Sequence, residues 1–109
     1  MIKPSRVKFV SVELKGNFDS MDEDDPIKKA MRRAMKNLRE NAFSGVRIPK
    51  RLFPIDYIRK YEVTNLWKYD LPNAWRFLYS ITVEGDVQLV SVILDWFSHK
   101  GCERRFNYG

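Results

Sequence analysis

The stretch from Leu66 to Tyr108 reads LWKYDLPNAWRFLYSITVEGDVQLVSVILDWFSHKGCERRFNY, and it decides the fold. It contains three runs with the two-residue period of strands: LWKYDL, WRFLYSITV and VQLVSVILDWF. A Leu-Pro-Asn turn separates the first two runs, and Glu84-Gly85-Asp86, whose glycine accepts a positive φ, separates the last two. Because both connections are short, the sequence predicts a three-stranded antiparallel meander. A short helical tail is expected from about His99.

The segment before the meander predicts a strand and then a helix. Residues 7–12 alternate as a strand does, the strand ends by Gly16, and a linker-like stretch runs from there to Asp25. Asp25 is a suitable N-cap and Pro26 fits a first helical turn. The following helix has an apolar stripe at spacings of three and four residues, and Gly45 is its predicted end. The stripe consists of Ile27, Ala30, Met31, Ala34, Met35, Leu38 and Ala42.

A second helical segment is predicted from Ile48 to Tyr61, where Pro54 must kink or restart the helix. The predicted fold class is therefore α+β: a strand, two helices, a three-stranded antiparallel meander and a short C-terminal helical tail. With 109 residues the chain can bury one core, so we expect residues 1–109 to form a single domain. Its 44% hydrophobic and 14% aromatic residues are unlike the composition of a disordered chain.

The formal net charge of +6 favours nucleic acid as a partner, followed by an acidic protein. The excess lies in residues 26–62, which contain eleven Lys and Arg against three Asp and Glu. The spacing predicts that much of it covers the outward face of the first helix. The residues of this face are Lys28, Lys29, Arg32, Arg33, Lys36 and Arg39.

The chain has one cysteine, Cys102, and one histidine, so neither an internal disulfide nor a Cys/His metal set is expected. We expect an intracellular protein without a metal or another cofactor. Residues 1–14 contain too short an apolar run for a signal peptide, and no stretch approaches the about 20 apolar residues of a membrane span. A cytoplasmic protein without a membrane partner is the expectation.

Arg76 is the first candidate for a functional residue, because it stands near the start of a strand that is apolar nearly throughout. Alternation places its side chain on the face opposite Phe77 and Tyr79. A guanidinium at such a position needs a carboxylate or a phosphate to offset its desolvation, and its planar shape suits either. A structural ion pair with Asp70 or Asp95 and a phosphate site are both open interpretations.

Three features together resemble the RelE/ParE superfamily of toxins, in particular its RelE-like branch. They are the order strand, helix, helix, meander; the strand WRFLY after a tight turn; and the basic aromatic ending WFSHKGCERRFNY. The resemblance is specific from about Leu66 onward. It implies a ribosome-dependent mRNA endoribonuclease that works without a metal and is held inactive by a cognate antitoxin. A ParE-like inhibitor of DNA gyrase and a degenerate, non-catalytic member that binds RNA or an antitoxin are the alternatives.

In the implied reaction, the 2′-OH of one nucleotide attacks the neighbouring phosphate and leaves a cyclic phosphate and a 5′-OH. This chemistry needs a proton acceptor, a proton donor and cations around the phosphorane. By resemblance, Arg76 binds the scissile phosphate, and Lys68 is a base or charge stabiliser. His99 and Lys100 both fall where the family has a basic residue or histidine after the last strand, and either can be its equivalent. His99 is the candidate general acid, because a histidine can transfer a proton near neutral pH.

The resemblance also implies residues that hold the RNA. Tyr108 is expected to stack on a base or assist proton transfer, although Phe106 lies in the nearer register. Asp70 stands where the family often has a second basic residue. Further RNA contacts are expected from Arg104 and Arg105 in the tail and from Lys29, Arg32, Arg33 and Lys36 on the helix. For the tail pair, simple solvation is the alternative; for the helix, solvation, ribosomal RNA contact and acidic antitoxin contact all remain open.

Overall fold

The computed structural model describes residues 2–85 and 88–98, and this part of the chain contains three helices and five strands. The helices are α1 (Val12–Asp19), α2 (Pro26–Glu40) and α3 (Ile55–Tyr61). The strands are β1 (Arg6–Phe9), β2 (Val46–Arg47), β3 (Trp67–Asp70), β4 (Trp75–Glu84) and β5 (Gln88–Ser98). The predicted α+β class is confirmed, with one more helix and one more strand than the described residues were expected to form.

The strands form one mixed sheet in the order β1-β5-β4-β3-β2. The predicted meander is confirmed, because β3 pairs antiparallel with β4 and β4 pairs antiparallel with β5. The first strand joins this meander through a parallel pairing with β5, and the short β2 covers the edge of β3. β5, β4 and β3 are therefore the interior strands of the sheet, and β1 and β2 are its edges.

The two turns of the meander contain residues with a positive φ. In the first turn, the Leu71 N–H donates to the Trp75 carbonyl over 2.7 Å, while Asn73 and Ala74 each have a φ of 60°. In the second turn, Gly85 has a φ of 61°, as its position predicted. The turn chemistry in the sequence thus set the register of β3, β4 and the start of β5.

The predicted linker from Gly16 to Asp25 is wrong in its first part, because residues 12–19 form α1. Ser11 caps this helix by accepting a hydrogen bond from the Leu14 N–H over 3.0 Å. Gly16 is an ordinary interior position of the helix, so it does not end the preceding strand. That strand instead stops at Phe9, three residues before the end of the alternating run 7–12.

The predicted start of α2 is confirmed, since the Asp25 carboxylate accepts from the Ile27 N–H over 2.8 Å and Pro26 opens the helix. Its predicted end at Gly45 is wrong. α2 stops at Glu40 because Asn41 adopts an extended conformation and its side chain accepts from the Phe43 N–H, which starts a separate 3₁₀ turn at Ala42–Ser44.

The second predicted helix is divided as Pro54 indicated. A 3₁₀ turn at Lys50–Leu52 precedes the proline, and α3 begins directly after it at Ile55. None of the helices within residues 2–85 and 88–98 is both long enough and apolar enough to cross a membrane. The helical tail predicted from about His99 lies outside the described residues.

Two apolar cores lie on opposite faces of the sheet. On one face α2 packs through Met31, Ala34 and Leu38 against Phe77 and Tyr79 of β4. On the other face the buried residues are Ile48, Phe53, Leu66, Leu78, Leu94 and Phe97. Consecutive residues of β4 therefore pack into different cores, which confirms the predicted alternation of side chains along this strand.

The Tyr79 hydroxyl joins the central strand to the segment that follows α2. It donates to the Ala42 carbonyl over 2.8 Å and accepts from the Gly45 N–H over 3.0 Å. Burial raises the pKa of Tyr79 to about 12, so the hydroxyl remains a donor at any physiological pH. A Cβ on Gly45 would lie 2.5 Å from the Lys68 carbonyl oxygen and 2.7 Å from the Tyr79 hydroxyl oxygen.

We predict that Gly45→Ala lowers the free energy of unfolding by about 1–3 kcal/mol, because the new methyl group displaces β3 or the hydroxyl. Gly16→Ala is the matched control: its Cβ meets nothing within 4 Å. A helix-interior alanine should stabilise by about 0.5–1 kcal/mol. Urea unfolding of both variants measures the difference, and equal stabilities for the two would contradict the close approach at Gly45.

Candidate functional site

Arg76 and Asp70 face each other across β3 and β4. The tight turn after β3 makes Asp70 and Arg76 direct cross-strand partners, so their side chains project from the same face of the sheet. The Arg76 Nε lies 3.1 Å from the Asp70 Oδ1. The ion pair with Asp70, expected as one interpretation of Arg76, is therefore present.

The two members of this pair differ in exposure. The Arg76 side chain is 26% exposed, whereas the Asp70 side chain is 64% exposed. An ion pair with one member this open to water contributes about 0–1 kcal/mol, because solvent screens it. A phosphate that approaches Arg76 therefore competes with the Asp70 carboxylate, which is held only weakly.

Lys68 shares this face with Arg76. It stands two residues before Asp70 on β3 and directly opposite Leu78 of β4, which places its side chain on the same face. Diagonal neighbours of this kind have Cα atoms about 7–8 Å apart, a spacing within which one phosphate reaches two long cations. The sequence prediction that Lys68 and Arg76 flank one surface agrees with this register.

The surface around these residues, which we call the Arg76 face, has an apolar floor. Leu78 lies opposite Lys68 and two residues after Arg76 on β4, and it is 1% exposed; Phe97 lies opposite Arg76 on β5. Apolar neighbours keep water away from one side of the cations and so strengthen their attraction to an anion. This arrangement can bind a phosphate.

Asp95 belongs to the same face, although sequence reasoning considered it only as a partner of Arg76. It lies opposite Leu78 in the row that starts at Lys68, directly before a register shift in the pairing of β4 with β5. Its Oδ1 accepts from the Trp96 N–H over 2.8 Å. The shift could not be read from the two-residue period, because an irregularity leaves the apolar pattern of VQLVSVILDWF intact.

The remaining predicted catalytic residues, His99, Lys100 and Tyr108, lie outside the described residues, as do Arg104 and Arg105. The last described residue of β5, Ser98, pairs with Trp75, next to Arg76. Of the predicted catalytic set, the structure thus brings together Lys68 and Arg76.

The predicted outward face of α2 is correct except for Lys28, which is 1% exposed. Its ammonium donates to the Asp19 and Met21 carbonyls over 3.2 and 2.9 Å and to the Glu23 Oε1 over 2.7 Å. Position 28 lies three residues before Met31, on the apolar stripe, and this spacing was the signal that it would be buried. Lys28 binds the α1–α2 connection to α2.

Arg32 is exposed to solvent but is hydrogen-bonded to Glu23. Its guanidinium contacts both oxygens of Glu23, with Nη1 2.6 Å from Oε2 and Nη2 3.1 Å from Oε1. The hydrogen bonds from Arg32 and then from Lys28 lower the pKa of Glu23 to about 2. Arg32 is therefore less available for RNA than Lys29, Arg33 and Lys36, which are exposed.

The basic face of α2 and the Arg76 face are on opposite sides of the sheet. α2 covers the side formed by Phe77 and Tyr79, and its exposed cations point away from that side. Arg76 projects from the other side, together with Leu78. The predicted RNA-binding residues of α2 thus cannot contact the same phosphate as Arg76.

Comparisons of the chain with models of known protein families, with curated proteins and with solved structures found no match.

We predict that Glu23→Gln removes part of the acid sensitivity of the fold. The folded-state pKa of Glu23 lies below its ordinary value of 4.5, so its stabilising contribution is present above pH 4.5 and is lost as the pH falls toward about 2. Urea midpoints measured between these pH values should fall less steeply for the variant than for the wild type. Glu40→Gln, a change on the exposed end of α2, is the matched control; an equal slope for wild type and Glu23→Gln would contradict the prediction.

Proposed function

We propose that the protein is a RelE-like toxin of a toxin–antitoxin pair, a metal-independent endoribonuclease that cleaves mRNA on the ribosome. The observation that supports it is the position of Lys68 and Arg76 on one face of the meander, above an apolar floor. This face lies at the end of β5, from which the sequence continues into HKGCERRFNY. The partners in this proposal are a cognate antitoxin, the ribosome and mRNA in the cytoplasm.

The proposed reaction needs no group beyond the chain and the RNA. The 2′ oxygen forms a bond to the adjacent phosphorus, the bond from phosphorus to the 5′ oxygen breaks, and a cyclic phosphate and a 5′-OH result. Arg76 holds the phosphate, and Lys68 accepts the 2′ proton or stabilises the phosphorane. His99 or Lys100 donates a proton to the 5′ oxygen, and Tyr108 stacks on a base or assists that transfer.

The ion pair between Arg76 and Asp70 is the resting state in this proposal. Because Asp70 is largely exposed, its carboxylate can turn into solvent when a phosphodiester takes its place beside the guanidinium. A bound phosphate can then use the planar donor array of Arg76. Asp70 thus weakens phosphate binding without preventing it.

A large partner explains why the cations occupy two sides of the molecule. Lys29, Arg33 and Lys36 are exposed on α2, opposite the Arg76 face. An mRNA strand bound at Arg76 does not reach them, whereas ribosomal RNA on both sides of the protein does. An acidic antitoxin and simple solvation are the other interpretations of the α2 cations.

We predict that Arg76→Ala abolishes growth arrest on expression and reduces cleavage of ribosome-bound mRNA by at least about 100-fold, because a donor to the phosphorane is lost. Arg6→Ala is the matched control. It also removes an arginine from the sheet, but one paired with Glu84 at 3.4 Å on the exposed strand β1. Equal toxicity of a folded Arg76→Ala variant would contradict the role of Arg76. Gyrase inhibition with intact mRNA would instead identify a ParE-like toxin.

The Asp70–Arg76 pair itself favours a second candidate function, a degenerate family member that binds RNA or an antitoxin without cutting. In that case the carboxylate stands where a catalytic cation would be needed, and the pair is purely structural. The two candidate functions differ in whether Arg76 can bind a phosphate and support cleavage once Asp70 no longer pairs with it.

We predict that Asp70→Asn raises cleavage of ribosome-bound mRNA, and affinity for a short RNA, about fivefold, because the competitor of the phosphate is removed. Glu84→Gln is the matched control, since it makes the same charge change on β4 in an ion pair with Arg6 and Lys8. An equal rise for both variants would attribute the effect to net charge alone. Tighter RNA binding by Asp70→Asn without cleavage would support the degenerate member.

A further inference from the structure

We propose that the groove between β1, α1 and α2 binds a small alkyl carboxylate of the fatty-acid class, with the carboxylate at Arg39 and the hydrocarbon chain on an aromatic floor. This inference is independent of the RNA chemistry proposed above, because the groove lies on the side of the sheet opposite Arg76. It rests on the volume of the groove, its apolar lining and the difference in charge between its ends.

The groove has the size and the lining of a small-molecule site. Its volume is about 560 Å³, within the range of about 300–1,000 Å³ that is usual for ligand pockets. The apolar part of the lining consists of Val7 and Phe9 of β1, Phe18 of α1 and Met35 of α2. Ligand pockets are mainly apolar and contain a few polar groups that orient the ligand. The apolar lining therefore suits a hydrocarbon chain.

The aromatic floor of the groove is already assembled. The ring centroids of Phe9 and Phe18 lie 5.3 Å apart, and the Trp96 ring is edge-on to both of them, at 6.2 and 6.4 Å. The buried Lys28 ammonium lies 5.3 Å from the centre of the Phe18 ring and also bonds to the Asp19 carbonyl, so it holds α1 beside α2. A ligand thus meets a surface that needs little ordering, which lowers the cost of binding.

The two ends of the groove differ in charge. Near the start of α2, the Lys15 ammonium lies 2.8 Å from the Asp19 carboxylate, so the charges of this pair offset each other. Near the end of α2, Arg39 lines the groove and is exposed. Within residues 2–85 and 88–98, no carboxylate forms an ion pair with Arg39. Its planar donors can hold a ligand carboxylate in two hydrogen bonds.

These charges select the ligand and its orientation. A carboxylate at the Asp19 end would meet a like charge, so the head of the ligand belongs at Arg39 and its chain extends over Phe9 and Phe18. A cationic amphiphile would be repelled by Arg39. The C-terminus of an apolar peptide also ends in a carboxylate, but its amide groups would lose their hydrogen bonds to water against the apolar lining.

The test uses the full chain and sodium decanoate, titrated by calorimetry below the concentration at which decanoate forms micelles. We expect decanoate to bind at one site. Decan-1-ol, which lacks the charge, should bind about fivefold more weakly. Octanoate should bind about tenfold more weakly, because it buries two fewer methylene groups, and decyltrimethylammonium should fail to bind.

Three results of these titrations would each overturn the proposal. They are no binding of decanoate, equal affinities for decanoate and decan-1-ol, and equal affinities for decanoate and octanoate. Tighter binding of N-acetyl-leucyl-leucine than of decanoate would also overturn it, because the occupant would then be a peptide terminus.

Arg39→Gln isolates the charge at the end of the groove. This variant should bind decanoate about fivefold more weakly than the wild type and decan-1-ol equally well. Arg33→Gln is the matched control, since it makes the same charge change on α2 at an exposed residue that does not line the groove. Circular dichroism checks that both variants are folded. Equal losses of affinity in the two variants would attribute binding to net charge and overturn the site.

Nuclear magnetic resonance locates the bound chain in the wild-type protein. At saturation with decanoate, we expect nuclear Overhauser contacts between the alkyl chain and the methyl groups of Val7 and Met35, which line the groove from opposite sides. Binding without contacts to either residue would place the ligand elsewhere and overturn the proposal.

Discussion

The alternation of side chains along β4 is the constraint on which the rest of the molecule depends. β4 is paired on both sides, by β3 and β5, so it cannot rotate to change which side chains it buries. Phe77 and Tyr79 must therefore meet α2, and Arg76 and Leu78 must face the other way. A slip of one residue would bury Arg76 beneath α2 and move Phe77 to the opposite face of the sheet. Core packing and the position of the arginine are two consequences of one register.

Two polar contacts connect the elements outside the meander to this register. The Tyr79 hydroxyl binds the backbone on both sides of the 3₁₀ turn after α2 and so sets where β2 begins. At the opposite end of α2, the buried Lys28 ammonium donates hydrogen bonds to the Asp19 and Met21 carbonyls and to the Glu23 carboxylate. A buried ammonium is costly unless it is paired and hydrogen-bonded, and here both conditions are met. The ends of α2 are thus fixed by polar atoms and its middle by apolar packing.

The meander, the start of α2 and the pairing of Asp70 with Arg76 were accessible from sequence because local chemistry determines them. A two-residue period, an Asp-Pro helix start and a tight turn each act within a few residues. The helix α1 was missed because Gly16 and Asn17 are typical of turns, while the Ser11 cap that starts it is a weaker signal. The parallel pairing of β1 with β5 and the bulge beside Asp95 were not accessible, since each depends on segments that are distant in sequence or leave the apolar pattern unchanged.

The sheet separates two sets of cations that one phosphate cannot contact together. Lys29, Arg33 and Lys36 are exposed on the side covered by α2, whereas Lys68 and Arg76 lie on the side that carries Leu78 and Phe97. A partner that engages both sets must therefore reach around an edge of the sheet, and a partner limited to one side leaves the other side uncovered.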